Sequence, residues 1–263
     1  MPSIEFKKGR ISYDVSGKGS AIVFLHGFLE DRKMWNAYSE KLSRTFRTIS
    51  IDLPGHGESS IFGYCHSMEL MSEAVMAVLK HLKIRRFYLI GHSMGGYVSM
   101  SIAEFHPDNI KGLCMFHSTA DCDGVQKKKD RDKVIKVIQK NKEIFIRESI
   151  PNLFNTKLKP YKRAISTISK MARSMNERSI IAALEGMKIR SNREIILKFA
   201  PYPILYIIGK EDNILPYKKL IDESLSCERS EYLLLDNAGH MGFIEESQTC
   251  LKAIKKFLKK GDI

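Results

Sequence analysis

Short runs of continuously apolar, β-branched and aromatic residues recur along this chain with helical patterns between them, and that alternation restricts its possible folds more than any other feature. Ala21–Leu25 (AIVFL) contains no polar position, as expected of a strand covered on both faces. Arg47–Ile51 (RTISI), Phe87–Ile90 (FYLI), Gly112–Phe116 (GLCMF), Ile204–Ile208 (ILYII) and Tyr232–Leu235 (YLLL) repeat the pattern. Ile4–Phe6 and Arg10–Val15 flank Lys7-Lys8-Gly9 as the arms of an opening hairpin would. Between the strands, Met68, Met71, Val75, Val78, Leu79 and Leu82 recur at three- and four-residue intervals, and Leu251, Ile254, Phe257 and Leu258 do so within Ser247–Lys260. Both segments are amphipathic helices by period. Strands alternating with helices predict an α/β fold, with a mostly parallel eight-stranded sheet and helices on both faces.

The alternation stops after Phe116. From about Asp121 to Phe199 only helical periodicity remains, carried by Val134, Ile135, Val137 and Ile138, then Ile165, Ile168, Met171, Ala172 and Met175, then Ile180, Ile181, Leu184 and Met187. Strand pattern resumes after Pro201-Tyr202-Pro203. The expected organisation is a core of residues 1–120 and 200–263 with a helical insertion at 121–199. Charge follows the same division. The chain of 263 residues carries a net +13, yet Asp121–Lys198 holds 20 Lys+Arg against 9 Asp+Glu, or +11, and the remainder 23 against 21, or +2. The excess can be a plain solvated face, a rim that attracts anionic substrates, or a surface that docks on an anionic membrane; a small-molecule substrate is the expected partner, and attraction of anionic ones is the reading to test. Nucleic acid is not expected, because the basic residues alternate with aliphatics and no aromatic platform accompanies them.

Other classes are excluded more simply. The apolar fraction is 43%, too high for a disordered chain. No apolar run approaches the roughly 18–20 residues of a membrane span. Met1-Pro2-Ser3-Ile4-Glu5-Phe6-Lys7-Lys8 lacks the basic head and apolar stretch of a secretory signal. The five cysteines (Cys65, Cys114, Cys122, Cys227, Cys250) are scattered, without zinc-type spacing. Free thiols in a reducing cytoplasm are the expectation.

Chemistry is concentrated in Gly91-His92-Ser93-Met94-Gly95-Gly96, placed between the strand Phe87–Ile90 and a helical segment Tyr97–Phe105. G-x-S-x-G is a weak pattern alone, but between a buried strand and a helix it describes a sharp turn that lifts a serine hydroxyl above the sheet. Such a turn brings neighbouring chains so close that Gly91 and Gly95 tolerate only hydrogen as a side chain.

At these residues the chain resembles the α/β-hydrolase family, over essentially its full length. His26-Gly27-Phe28 follows the first buried strand, where family members place an oxyanion-hole donor. Asp52-Leu53-Pro54-Gly55-His56-Gly57-Glu58-Ser59 matches a turn common in the family. Gly209-Lys210-Glu211-Asp212-Asn213-Ile214-Leu215-Pro216 falls where the family keeps its acid, and Asn237-Ala238-Gly239-His240-Met241 where it keeps its histidine. The order Ser, Asp, His is the family's order. The resemblance implies Ser93 as nucleophile, His240 as base and then acid, Asp212 as the group that orients His240, and the backbone N–H groups of Phe28 and Met94 as oxyanion donors. It also implies a helical cap, placed by the insertion after the sixth strand.

Rival assignments remain at this point. Glu211 is adjacent to Asp212, and Asp121 follows a strand where some relatives place the acid. His26, His56 and His92 read as loop-orienting, Asp52 as a turn-former, Cys114 and Cys122 as buried thiols. Trp35 would line the pocket wall or fill the core. Phe145, Ile150 and Phe154, with Ile146, Leu153 and Met171, would face substrate or form the insertion's own core. The expected activity is a serine hydrolase, carboxylesterase-like, that cleaves a small or medium ester, thioester or amide through an acyl-enzyme. It requires no metal or organic cofactor. Alternatives on the same three residues are a lyase or C–C bond hydrolase resembling the menaquinone-pathway synthase, with Arg147, Arg163 or Arg173 gripping carboxylates, and a cofactor-free perhydrolase. A non-enzymatic binding protein is disfavoured because all three residues are retained.

Overall fold

The structure, a computed structural model, describes residues 2–260; Met1 and residues 261–263 of the expected core lie outside them. Eight strands form one sheet: β1 (Ser3–Phe6), β2 (Gly9–Ser16), β3 (Ala21–Leu25), β4 (Arg47–Ile51), β5 (Phe87–His92), β6 (Ile110–Phe116), β7 (Ile204–Gly209) and β8 (Ser230–Leu235). Ten α-helices accompany them: α1 (Asn36–Leu42), α2 (Met68–His81), α3 (Met94–Phe105), α4 (Val125–Ser149), α5 (Lys162–Ser174), α6 (Glu177–Lys188), α7 (Glu194–Lys198), α8 (Tyr217–Leu225), α9 (Gly242–Glu245) and α10 (Ser247–Lys260). No helix among the described residues is long and apolar enough to cross a membrane.

The strand order is β1-β2-β4-β3-β5-β6-β7-β8. β1 and β2, and β2 and β4, run antiparallel, and the pairs from β4 onward are parallel. The central strands β3, β5 and β7 are buried at every position, which is why their sequences show unbroken apolar runs instead of alternation. Flanking helices are set by local signals: Ser67 accepts the Leu70 N–H at 3.2 Å and starts α2, whose buried face includes Met68, Met71, Val75 and Val78. Parallel strands share one carboxyl edge, and the loops leaving that edge hold His26–Phe28, Ser93, His117–Asp123, Asp212 and His240. Ligands of open α/β sheets sit at this edge.

Between β6 and β7 the described chain contains helices and no strand. α4 is kinked: Asn141 leaves the helical region (φ −163°, ψ 94°), and its side-chain oxygen accepts the Glu143 and Ile144 N–H groups at 3.0 and 3.3 Å. One residue thereby caps the second half of a helix that periodicity alone reads as uninterrupted. α6 rests on the loop before α2. Ala182 C=O accepts the His66 N–H at 2.8 Å, and Gly186 lies against the His66 carbonyl, where a side chain would collide.

Candidate active site

Ser93 occupies the junction of β5 and α3 with φ +49° and ψ −114°, a strained backbone for a non-glycine residue. A Cβ on Gly95 would come within 2.5 Å of the Leu25 carbonyl oxygen, and one on Gly91 would strike the Gly95 carbonyl. The turn is therefore too tight for side chains on either flank. β5 runs to His92 and α3 begins at Met94, so the helix starts three residues before the expected segment and its N-terminus is part of the turn itself.

The Ser93 hydroxyl lies 2.9 Å from His240 Nε2, and His240 Nδ1 lies 2.7 Å from Asp212 Oδ2. Asp212 Oδ1 accepts the N–H groups of Ile214 and Leu215 at 2.7 and 3.1 Å, which fixes the carboxylate in one orientation. Burial alone would raise this carboxyl, but the facing rings of His240 and His117 hold it well below the usual carboxylate range. His240 is further held by the insertion, because its backbone N–H donates to the Leu153 carbonyl at 2.7 Å. Beside it, the Asn155 N–H donates to Glu245 Oε1 at 2.8 Å and the Asn155 side chain to the Asn237 carbonyl at 3.1 Å.

Phe28, in the loop after β3, borders the same cavity as Ser93, and Met94 follows Ser93 as the first residue of α3. The Gly27 N–H goes to Glu30, the Ser93 N–H to the Phe116 carbonyl at 2.9 Å, and the Gly96 N–H to the Ser93 carbonyl at 2.9 Å. Phe28, Ser93 and His240 border a cavity of about 480 Å³, within the range of small-molecule sites. The arrangement can move a proton from a hydroxyl to an imidazole whose other nitrogen faces a carboxylate.

The remaining expected positions divide. Phe145, its ring 6.4 Å from that of Phe28, and Ile150 border the cavity, as does Leu153. Trp35 does not: it is fully buried, stacked on Phe24 at 5.0 Å with Tyr38, Phe116 and Phe243 around it, and belongs to the core. Phe154 does not border the cavity either and stacks on Tyr161 at 5.3 Å, between Leu153, whose carbonyl accepts the His240 N–H, and Asn155, whose N–H donates to Glu245. Ile146 is buried, and Met171 lies in a separate groove beside Gly57 and Glu58. Asp121 borders the cavity but pairs with Lys219 and Asn192, and Glu211 stands 3.7 Å from Lys157. Asp52 accepts the Arg32 N–H at 2.8 Å and the Glu58 N–H at 2.9 Å, the contacts of a turn-former. His26 accepts the Leu53 N–H at 3.0 Å, and His56 Nδ1 faces the Pro54 carbonyl at 3.1 Å. Cys114 is buried and its thiol is pushed well above its ordinary value, whereas Cys122 is half-buried and borders the cavity. Arg147, Arg163 and Arg173 are exposed; Arg147 pairs with Glu148 and Arg173 with Glu143. The arginines at the cavity are Arg131 and Arg190, both bound to Asp123.

Several contributors escaped motif reading. His117, fully buried with φ +47°, accepts the Gly242 N–H on Nε2 at 3.2 Å and points Nδ1 toward Asp212 Oδ2 at 3.5 Å. Burial holds its imidazole down at about 4, so it is neutral near pH 7. Its position immediately after β6, at the edge where the other groups gather, was the available signal. His117, Asp212 and His240 offer donor atoms within 4.8 Å of one another. A cation there would have to displace the bond between His240 Nδ1 and Asp212 that orients the imidazole.

Comparison with known proteins bears on the family and the fold. A family model described as alpha/beta hydrolase fold matches residues 20–247. A pimeloyl-[acyl-carrier protein] methyl ester esterase from Wigglesworthia glossinidia brevipalpis is 27% identical over 258 residues, covering 94% of this chain and 96% of that protein. The dihydrolipoyllysine-residue acetyltransferase component of the acetoin cleaving system from Pseudomonas putida is 26% identical, and the chain spans 66% of its length. Among solved structures, a thermophilic esterase from Thermogutta terrifontis superposes with a TM-score of 0.91 at 28% identity, covering 96% of this chain and 94% of that one. An enol-lactonase from Burkholderia xenovorans shares the fold at a TM-score of 0.90 and 20% identity, covering 98% of this chain and 100% of that one. With the family's pattern matched from residue 20 to residue 247, the chain belongs to the α/β-hydrolase family.

Proposed function

We propose that this ester hydrolase works through an acyl-enzyme on Ser93. His240 Nε2 takes the Ser93 proton as the oxygen attacks the ester carbonyl, and Asp212 stabilises the imidazolium that forms. The Phe28 and Met94 N–H groups bind the developing oxyanion. His240 then returns the proton to the departing alkoxide, which leaves as the alcohol. In the second half a water molecule, its proton taken by His240, attacks the acyl-enzyme and releases the acid and Ser93. The chain of contacts from Ser93 to His240 to Asp212 at the edge of the cavity carries this reading.

Residues 121–199 act as a cap, with Phe145 and Ile150 against the acyl chain of a small or medium ester. The Wigglesworthia relative is named for a pimeloyl-[acyl-carrier protein] methyl ester, and a cavity of about 480 Å³ has room for the acyl part of such an ester. The insertion's net +11 favours anionic esters, and five unpaired cysteines favour the cytoplasm. Synthase-like lyase chemistry is not favoured, since Arg147, Arg163 and Arg173 lie away from the cavity. A fluorophosphonate probe read by intact mass tests the nucleophile. One adduct is expected on the wild type and none on Ser93→Ala, and equal labelling of the two would overturn the assignment.

A further inference from the structure

Two buried ionisable residues beside Ser93 have no part in the proton path. Glu30 and His92 are 3% and 1% exposed, and both border the cavity. Glu30 Oε2 accepts the Gly27 N–H at 2.7 Å and lies 3.0 Å from His92 Nδ1. His92 Nε2 lies 3.0 Å from the backbone carbonyl of His240, which can only accept, so this nitrogen carries a proton. Glu30 Oε1 is buried without a hydrogen-bond partner. Through four atoms the oxyanion-side loop is therefore tied to the loop that carries the base. Burial would raise the Glu30 carboxyl and lower the His92 imidazole. Each instead shifts the other way, Glu30 held below the ordinary glutamate range by His92, and His92 lifted by Glu30 and the His240 carbonyl.

A carboxylate in this place conflicts with the chemistry proposed above, because it sits two residues from Phe28, where negative charge is to develop. Water-poor surroundings strengthen that repulsion. Only a positive partner of fixed position makes the carboxylate tolerable. We propose that Glu30 and His92 form a net-neutral buried pair that positions the Gly27–Phe28 loop against the His240 loop, with His92 cancelling at the oxyanion site the charge that Glu30 brings. The inference rests on the reading of Phe28 as an oxyanion donor. Both are positioning residues, since neither is required to touch substrate. The other titratable groups facing the pair are His26 on the Glu30 side, with His117, Asp212 and His240 on the His92 side; the edges of Phe116 and Phe243 complete the wall.

The test is a cycle of Glu30→Gln, His92→Asn and the double variant in the full chain, with kcat and KM for a short p-nitrophenyl ester from pH 6 to 10 and thermal unfolding alongside. His92→Asn is expected to lower kcat about 10²-fold with KM nearly unchanged. Its kcat should fall further at alkaline pH as the unpaired Glu30 ionises, a limb absent from the wild type. The double variant, with two neutral amides, should lose that limb and recover at least about tenfold of the loss, because removing both members of a buried pair costs less than removing one. Losses that simply multiply, an unchanged pH profile in His92→Asn, or an effect on KM instead of kcat would each overturn the proposal. If His92→Asn does not fold, a double variant that folds and turns over within about tenfold of wild type supports it, and one that is unfolded overturns it. A wild type with neither turnover nor fluorophosphonate labelling would count against the serine reading. Unfolding alone would then decide the pair: a double variant more stable than the summed single losses supports it, and strict additivity overturns it.

Discussion

The sheet core and the helical insertion hold their charges in opposite ways. In the core, buried ionisable groups face partners in fixed places: Asp212 faces His240 and His117, Glu30 faces His92, and Arg32 is shared by Asp52, Asp14 and Glu58. In the insertion, the basic residues mostly face water, as Lys128, Lys129, Lys136 and Lys140 do, and its pairs at Arg147–Glu148 and Arg173–Glu143 are solvent-exposed. Exposed pairs contribute little because water and salt screen them. Buried ones have been removed from water and so depend on a partner in one place. The core therefore uses charge as a positional device; the insertion does so only where Arg131 and Arg190 hold Asp123 and Arg193 reaches Glu69 and Glu104, and elsewhere its basic residues form a diffuse field.

The largest expected break falls on the core. Asp212→Asn keeps the shape but leaves His240 Nδ1 without an anion, and kcat should drop about 10⁴-fold with the unfolding temperature little changed. A drop below tenfold would move the acid's role elsewhere. Next come two aromatic residues that sequence treats alike. Trp35→Ala opens a hole among Phe24, Tyr38, Phe116 and Phe243 and should cost about 3–5 kcal/mol of stability. Phe145→Ala should leave stability almost intact and raise KM for longer acyl esters about tenfold. Exchanged outcomes in unfolding and chain-length assays would reverse the assignment of core and lining. The smallest effect is expected from Lys128→Gln/Lys129→Gln/Lys136→Gln, where kcat/KM for a carboxylate-bearing ester should fall about threefold at low salt and not at high salt, with a matched neutral ester unaffected. Equal, salt-insensitive values for the two esters in the unmodified protein would reduce the basic field to a property of solubility.

This division also governs how much could be read in advance. The central strands β3, β5 and β7 and their carboxyl edge were legible because strands buried on both faces have near-continuous apolar sequence, the β1–β2 hairpin because of its Lys7-Lys8-Gly9 turn, and Ser93 because its turn demands glycine on both sides. Asp212 and His240 were legible from their places after β7 and β8. Glu30 and His117 were not, since no local pattern shows that residues 62 and 95 positions from their partners His92 and Asp212 converge at one edge. Phe154 and Trp35 show the same limit among apolar residues, where periodicity marks a buried face but does not say whether the neighbour is core or cavity. The kink at Asn141 went unseen because an asparagine within a lysine-rich helix looks like one more polar residue until its side chain is found holding two backbone N–H groups.

The separation of the reacting residues has a consequence for how the protein comes to exist. Ser93 and His240 stand 147 positions apart and meet only when β8 has joined the sheet and Leu153 has gripped the His240 backbone. Contacts between distant segments form late, after their closure entropy has been met. On the proposed mechanism, the return of activity during refolding is therefore expected to report closure of this long-range contact and to lag the formation of local helices.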